Sequence, residues 1–289
     1  MGDGDLALRA ERNMLRASEL WTRAAQGATH EERGLVEHHA PAPMRSFNQL
    51  FVTDTPLSAG TLVAAGGRYR AADRPFRLRL RCELEPAAAE ALAEARLGSR
   101  GGIPSLALGR APAASRTSTS PMVGSPMVGR GPSPDRDRIE AGASTASDPS
   151  ELEVRRVEDE ASLADHVALV AGAFGWGAAD LALVFTPALL RMPEWSGYVG
   201  YLDGTPVATA QLVVSDGVGG LYYVGTAETH RKRGFGERIT RAAIAAGAEQ
   251  GCDMFSLQAS PLGRPVYERI GFRQVAEYHT YVPKEDAHE

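Results

Sequence analysis

Cysteine is scarce: the 289 residues hold two, Cys82 and Cys252, in different halves of the chain. Thiols so few and so far apart suggest neither a disulfide framework nor a zinc site. No apolar run approaches the roughly 20 residues needed to span a bilayer. The opening "MGDGDLALRAERNML" is charged throughout and lacks the apolar centre of a signal peptide. A Met-Gly start invites myristoylation, but position 6 is Leu rather than Ser or Thr. These absences predict a cytoplasmic protein with no membrane partner and no metal. Two phosphate-binding fingerprints are missing as well. G-x-x-x-x-G-K-[ST] does not occur, and the dinucleotide pattern fails because Ile239 stands where a third glycine would follow Gly234 and Gly236.

Hydrophobic residues make up 43% of the chain and charged residues 23%, as expected of globular protein. The net charge of −5 is unevenly spread: residues 151–289 carry 12 Lys and Arg against 19 Asp and Glu. Yet this acidic part contains the densest basic cluster, "THRKRGFGERI" at 229–239. A nucleic-acid surface would spread its positive charge over a face. One local anion site is the better reading, with no nucleic-acid partner.

Composition divides the chain into an N-terminal α/β subdomain (1–110), a linker (111–150) and a C-terminal domain (151–289). The linker is dominated by Pro, Ser, Gly, Ala and Thr, lacks aromatics and holds a duplicated "SPMVG", so it is expected to be disordered. In the first block, Asp5 is placed to cap a helix reaching about Gln26. "SFNQLFVT" and "RPFRLRLRCEL" read as strands, the second with Phe76, Leu78, Leu80 and Cys82 alternating against arginines. Pro86 opens an alanine-rich helix that Gly98 closes, and "IPSLALG" reads as a short strand. His38 and His39 are adjacent, so they point apart and share no metal.

The C-terminal domain reads more cleanly. "ELEVRRV" is a strand and "DEASLADHVALVAGAFG" a helix with a capping start and a glycine stop. "DLALVFTPALLRM" is a helical stretch that Pro187 must break. Asp203-Gly204 marks a hairpin between two strands. "GVGGLYYVGTA" is a strand, followed by a helix from about 235 to 250, the strand "DMFSLQAS", the short helix "LGRPVYERIG" and a last strand around "EYHTYV".

Between the strand ending in "YYVGTA" and the helix after 235 lies R-x-x-G-x-G, carried by Arg231, Gly234 and Gly236. Glycines let the backbone approach a ligand closely. The first amides of the following helix have no intrahelical acceptor, and the helix dipole favours an anion there. Arg231, Lys232 and Arg233 add charge, so a pyrophosphate would sit on residues 232 to 237. A helix start with a solvated basic face is the competing reading of the loop alone.

The order of strand, basic glycine loop, helix and strand, followed by "PVYERIGF", resembles the GNAT superfamily of N-acetyltransferases over about residues 151–283. That resemblance implies a mixed, mostly antiparallel sheet flanked by helices, in the α/β (α+β) class. It implies acetyl-CoA as co-substrate, with its pyrophosphate on Arg231, Lys232, Arg233, Gly234, Phe235, Gly236 and Glu237. The strand end Val224, Gly225 and Thr226 would pair with the pantetheine arm and offer an amide to the thioester oxygen. Tyr267, ahead of Gly271 and Phe272, would protonate the departing thiolate. Ser260 stands where the family often carries Asn, and Glu228 where a proline is common. The base is open: Glu228, Asp216, His230 and a water chain are the candidates, with Glu228 preferred and His230 read as a loop contact. The implied function is acetyl transfer to a primary amine of a small molecule or peptide. The alternative is a non-catalytic acyl-CoA sensor. The N-terminal block echoes the latter half of such a domain without its R-x-x-G-x-G loop, and would pack beside the active domain to shape the acceptor pocket. Oligomeric state is open.

Overall fold

A computed structural model describes residues 2–109 and 151–286. The expected linker at 111–150 lies outside the described residues. The first half runs α1 (Asp3–Ala24), β1 (Ala28–Glu32), β2 (Leu35–His39), β3 (Gln49–Val52), α2 (Ala59–Ala71), β4 (Arg77–Arg81), α3 (Glu85–Glu94) and β5 (Leu97–Gly109). The second runs β6 (Glu153–Arg156), α4 (Glu160–Phe174), α5 (Ala178–Ala182), β7 (Trp195–Leu202), β8 (Thr205–Ser215) and β9 (Val218–Thr226). It continues through α6 (Phe235–Glu249), β10 (Met254–Gln258), α7 (Arg264–Ile270) and β11 (Arg273–Pro283).

Local signals set most boundaries of the second half. Asp159 accepts from the Ser162 amide in a capping box, and Gly175 ends α4 in the left-handed conformation. Pro187 breaks the stretch after α4 into α5 and a 3-10 turn, Pro187–Arg191. Asp203 and Gly204 both take positive φ, which turns β7 tightly into β8.

The first half departs from local expectation. α1 begins at Asp3, with Gly2 as a cap that offers no side chain, so Asp5 sits inside the first turn and favours the helix by charge instead. α3 stops well before Gly98, because Arg96 takes the left-handed turn (φ 57°) and Gly98 already belongs to β5. β5 is 13 residues long rather than a short strand. The sequence does not mark β1, β2 or α2. β1 is exposed at every position and so has no alternation, and α2 contains the helix-weakening pair Gly66-Gly67.

All eleven strands form one sheet in the order β1-β2-β3-β4-β11-β5-β10-β9-β8-β7-β6. Neighbours are antiparallel except β3 with β4 and β10 with β9. The two halves interlock at the centre: β11 lies between β4 and β5, and β5 lies between β11 and β10. Each half thus inserts its last strand beside the parallel pair of the other. Helices α1, α4 and α5 pack one face around Trp21, Phe185 and Trp195, while α6 and α7 pack the other around Phe235, Phe255 and Tyr267. On that second face α2 and α3 cover Leu78, Leu80 and Tyr281.

One buried network joins the halves on the first face. Trp21 Nε1 and Trp195 Nε1 both donate to Gln211 Oε1, at 3.0 and 3.1 Å. Gln211 Nε2 donates to His166 Nε2 at 2.8 Å, which leaves the Nδ1 proton for Thr209 Oγ1, itself a donor to the Tyr198 carbonyl. Burial pushes His166 down to about 3, so the ring stays neutral and this proton order holds.

Candidate functional site

β9 is paired with β8 along its length but with β10 only over Val218–Gly220 against Met254–Ser256. Beyond Gly220 the two parallel strands part, and β10 keeps its bonds to β5 instead. The wedge opens toward the C-terminal ends of β9 and β10. Its β9 wall is Val224, Gly225 and Thr226. Gly225 cannot carry a side chain, because a Cβ would lie 2.6 Å from that of Ala173 on α4. The register with β8 slips between Thr209 and Gln211, opposite Tyr223, which takes positive φ (49°). Such a bulge re-aims the strand end, and for a bulky residue this φ is strained. Sequence alone does not reveal the bulge, for which "YYVG" carries no turn signal.

From Thr226 the chain makes a 3-10 turn at Glu228–His230 and enters the loop of Arg231 to Gly234. Lys232 (φ 63°) and Gly234 (φ 81°) are left-handed on either side of Arg233, a reversal that folds successive amides toward one point. Gly234 caps α6 without a side-chain bond, leaving the amides of the first turn to a ligand. Gly236 has room for a Cβ only 3.3 Å from Thr226 Oγ1, so the helix start and strand end approach closely there. Phe235 points the other way; it is 1% exposed and anchors the first turn in the core. Its predicted contact with a ligand is therefore through the backbone.

Among the described residues no carboxylate pairs with Arg231, Lys232 or Arg233. Arg231 Nε reaches the Thr226 carbonyl at 3.4 Å. Glu237 is turned away from the loop cations to Arg241 (2.8 Å) and Arg269 (3.5 Å), and the bond from Arg241 holds its pKa below the ordinary value. A neutralised acid at this helix start does not repel an incoming phosphate. An open groove of about 690 Å³ runs from Gly234 along Glu237, Arg238 and Arg241 to Leu152 and Val154 of the edge strand.

On α7, which follows β10 in the chain, Tyr267 is 9% exposed with its ring against Phe272, centroids 6.0 Å apart. Burial pushes its phenol up to about 12, so it holds its proton throughout the neutral range. Ser260 Oγ accepts the Gly263 amide at 3.2 Å and shapes the turn into α7. Glu228 is exposed at the mouth of the wedge. His230 bonds Thr229 and sits 6.3 Å from the Phe235 ring, a local loop contact. Asp216 is at the far end of β9, on the order of 30 Å of strand away, and drops out as a base.

Beside the open end of the wedge, aromatic rings from both halves pack together around Tyr223. Tyr223 lies 5.0 Å from Trp21, 5.2 Å from Phe185, 5.8 Å from Phe47, 5.9 Å from Phe174 and 6.0 Å from Trp176. Trp21 and Phe47 come from the first half, which thus packs against the strand end. Among the described residues no cluster of His, Cys, Asp and Glu is arranged to hold a metal, and no helix is long and apolar enough to cross a membrane.

Residues 165–272 match the family model "Acetyltransferase (GNAT) family". The whole fold is similar to a GCN5-related N-acetyltransferase from Kribbella flavida, at 19% identity and TM-score 0.62, covering 93% of this chain and 95% of that one. A conserved protein of unknown function from Staphylococcus epidermidis aligns at 12% identity and TM-score 0.57, covering 88% and 92%. A GCN5-related N-acetyltransferase from Sphaerobacter thermophilus aligns at 17% identity and TM-score 0.52, covering 86% and 78%. No curated protein sequence matches the chain. The segment from 165 to 272 thus matches the GNAT acetyltransferase family model and is set in a mixed, mostly antiparallel sheet whose first half resembles the same fold.

Proposed function

We propose that the protein transfers an acetyl group from acetyl-CoA to a primary amine by direct attack on the thioester. The observation that carries this is the wedge between β9 and β10, which ends on a glycine loop whose helix amides are uncapped. The pyrophosphate lies on residues 231–237, held by first-turn amides and the charges of Arg231, Lys232 and Arg233, which no carboxylate among the described residues pairs. The pantetheine arm fills the wedge along Val224, Gly225 and Thr226, in the place of the missing strand partner.

The amine nitrogen bonds to the carbonyl carbon, and negative charge moves onto the carbonyl oxygen. A backbone amide at the strand end stabilises it there. As the carbon–sulfur bond breaks, Tyr267 gives its proton to sulfur. The proton lost by the amine leaves through Glu228, the exposed carboxylate nearest the mouth, or through water. An acetylated amine and CoA result.

The test is calorimetric binding of acetyl-CoA to the wild type and to Gly236→Val. A Cβ there meets only the tip of Thr226 in the free protein, so the variant should fold while its side chain blocks the backbone approach. Affinity should fall at least tenfold, about 1.4 kcal/mol. Unchanged affinity would remove the cradle from the mechanism. Binding without turnover on any amine would instead favour an acyl-CoA sensor.

A further inference from the structure

β4 carries three arginines at alternating positions, Arg77, Arg79 and Arg81, all on the face covered by α1. Only Arg81 is matched, by Glu11 of α1 at 3.1 Å. Among the described residues no carboxylate pairs with either of the others. Arg79 is 8% exposed; its NH1 points at Met14 Sδ at 3.6 Å, and its Nε has no partner. Arg77 is half-buried and bonds the neutral Gln49 Oε1 at 3.1 and 3.2 Å. A guanidinium does not shed its proton in a protein, so two of them side by side in a buried place demand an anion. Burial, and for Arg77 the charge of Arg79 beside it, work against both cations.

The neighbouring strands continue this polar patch. Arg79 is opposite Thr280 of β11, and further along the same face lie Ser105 of β5 and Ser256 of β10. The Oγ1 of Thr280 and the Oγ of both serines are buried and unbonded. Strand directions put Arg77 at the same edge of the sheet as Thr226 and Gln258, where the wedge opens. Tyr223 at the β9 bulge lies within electrostatic reach of both guanidiniums. The patch therefore borders the aromatic wall on the acceptor side, away from the phosphate cradle at α6.

The geometry points to an acceptor amine that also carries a carboxylate: Arg77 and Arg79 bind the acid, and the aromatic wall around Tyr223 takes an apolar body. This rests on the acetyltransferase reading and names its substrate class. The net acidity of residues 151–289 would by itself suit a purely cationic amine. Whole-domain charge acts at long range and is screened, whereas two desolvated guanidiniums act at contact.

Product-like probes test it without knowledge of the natural acceptor. CoA-loaded protein is titrated, at one ionic strength, with N-acetylphenylalanine and with its carboxamide, which differ only in the acid. Wild type should bind the acid at least tenfold more tightly, and Arg79→Met and Arg77→Gln should bind the two alike. Equal binding by wild type, binding of neither probe, or a preference kept by both variants overturns the proposal. The titration is repeated without CoA, and acetyl-CoA affinity is measured alone. A failure to bind acetyl-CoA would then sink the function, while the acid-against-amide contrast still decides this inference. Melting temperature separates a binding role from a structural one. Arg79→Met replaces an unmatched charge by a thioether beside Met14 and should melt no lower than wild type; a clear fall would make the residue structural and overturn the proposal.

Discussion

In the proposed reaction Tyr267 combines a requirement of packing with one of chemistry. Its ring is needed in the core beside Phe272, and the same burial keeps its hydroxyl protonated up to about pH 12. A raised pKa in an acid means that the proton is lost only as pH rises through that value. No alkaline loss of kcat below about pH 10 should therefore arise from this group. Tyr267→Phe keeps the ring and deletes the donor. Because the donor acts as the thiolate leaves, kcat should fall roughly 10²-fold, about 2.7 kcal/mol, with the KM for acetyl-CoA nearly constant. Steady-state kinetics of the two proteins decide it, and an equally fast Phe variant would remove Tyr267 from the reaction.

Helix α1 is the element that fixes the first half to the second. Its Asn13 is 1% exposed and shares its amide hydrogens among the Val213 and Val218 carbonyls and Ser215 Oγ, at 2.9 to 3.0 Å. Asn13 Oδ1 in turn accepts from the Tyr222 hydroxyl at 2.8 Å. One side chain thus pins α1 to both ends of the β8–β9 turn and to the strand residue just before the bulge. Asn13→Ala leaves these groups buried without partners and should lower stability by about 2–4 kcal/mol, read from denaturant unfolding. Because the pin sits beside Tyr223, the acceptor KM should rise more than the acetyl-CoA KM.

Across the whole molecule, the exchange of β5 and β11 makes the halves one folding unit. β10 is almost wholly buried and has β5 as its only neighbour on the side away from β9. Residues 151–289 produced alone would leave a gap between β10 and β11 with unpaired edges on both sides. That fragment should be aggregation-prone or oligomeric in size-exclusion chromatography. Adding residues 1–110 as a second chain should restore a soluble 1:1 complex, with β5 back in its slot. A monomeric, well-folded 151–289 fragment would show that the interlock is not needed.

The sequence by itself determined the glycine loop at the start of α6 and most of the second half. Its signals are local: Asp159 and Gly175 bound α4, Asp203-Gly204 turns β7 into β8, and Arg231, Gly234 and Gly236 shape a helix start within six residues. Each works through the φ, capping or charge of residues adjacent in the chain, so it can be read without knowing what packs against it. The resemblance to the acetyltransferase family rested on the same short motifs. Only the tertiary structure decided where β5 lies, that Tyr223 bulges, and that Arg77 and Arg79 have no carboxylate partner among the described residues. In sequence those arginines read as the exposed side of an alternating strand. Arg79 is buried and Arg77 half-buried because α1, some 65 residues away in the chain, covers that face, and because strands of both halves extend it. Strand order and helix cover depend on contacts between distant segments, which no periodicity within one segment encodes.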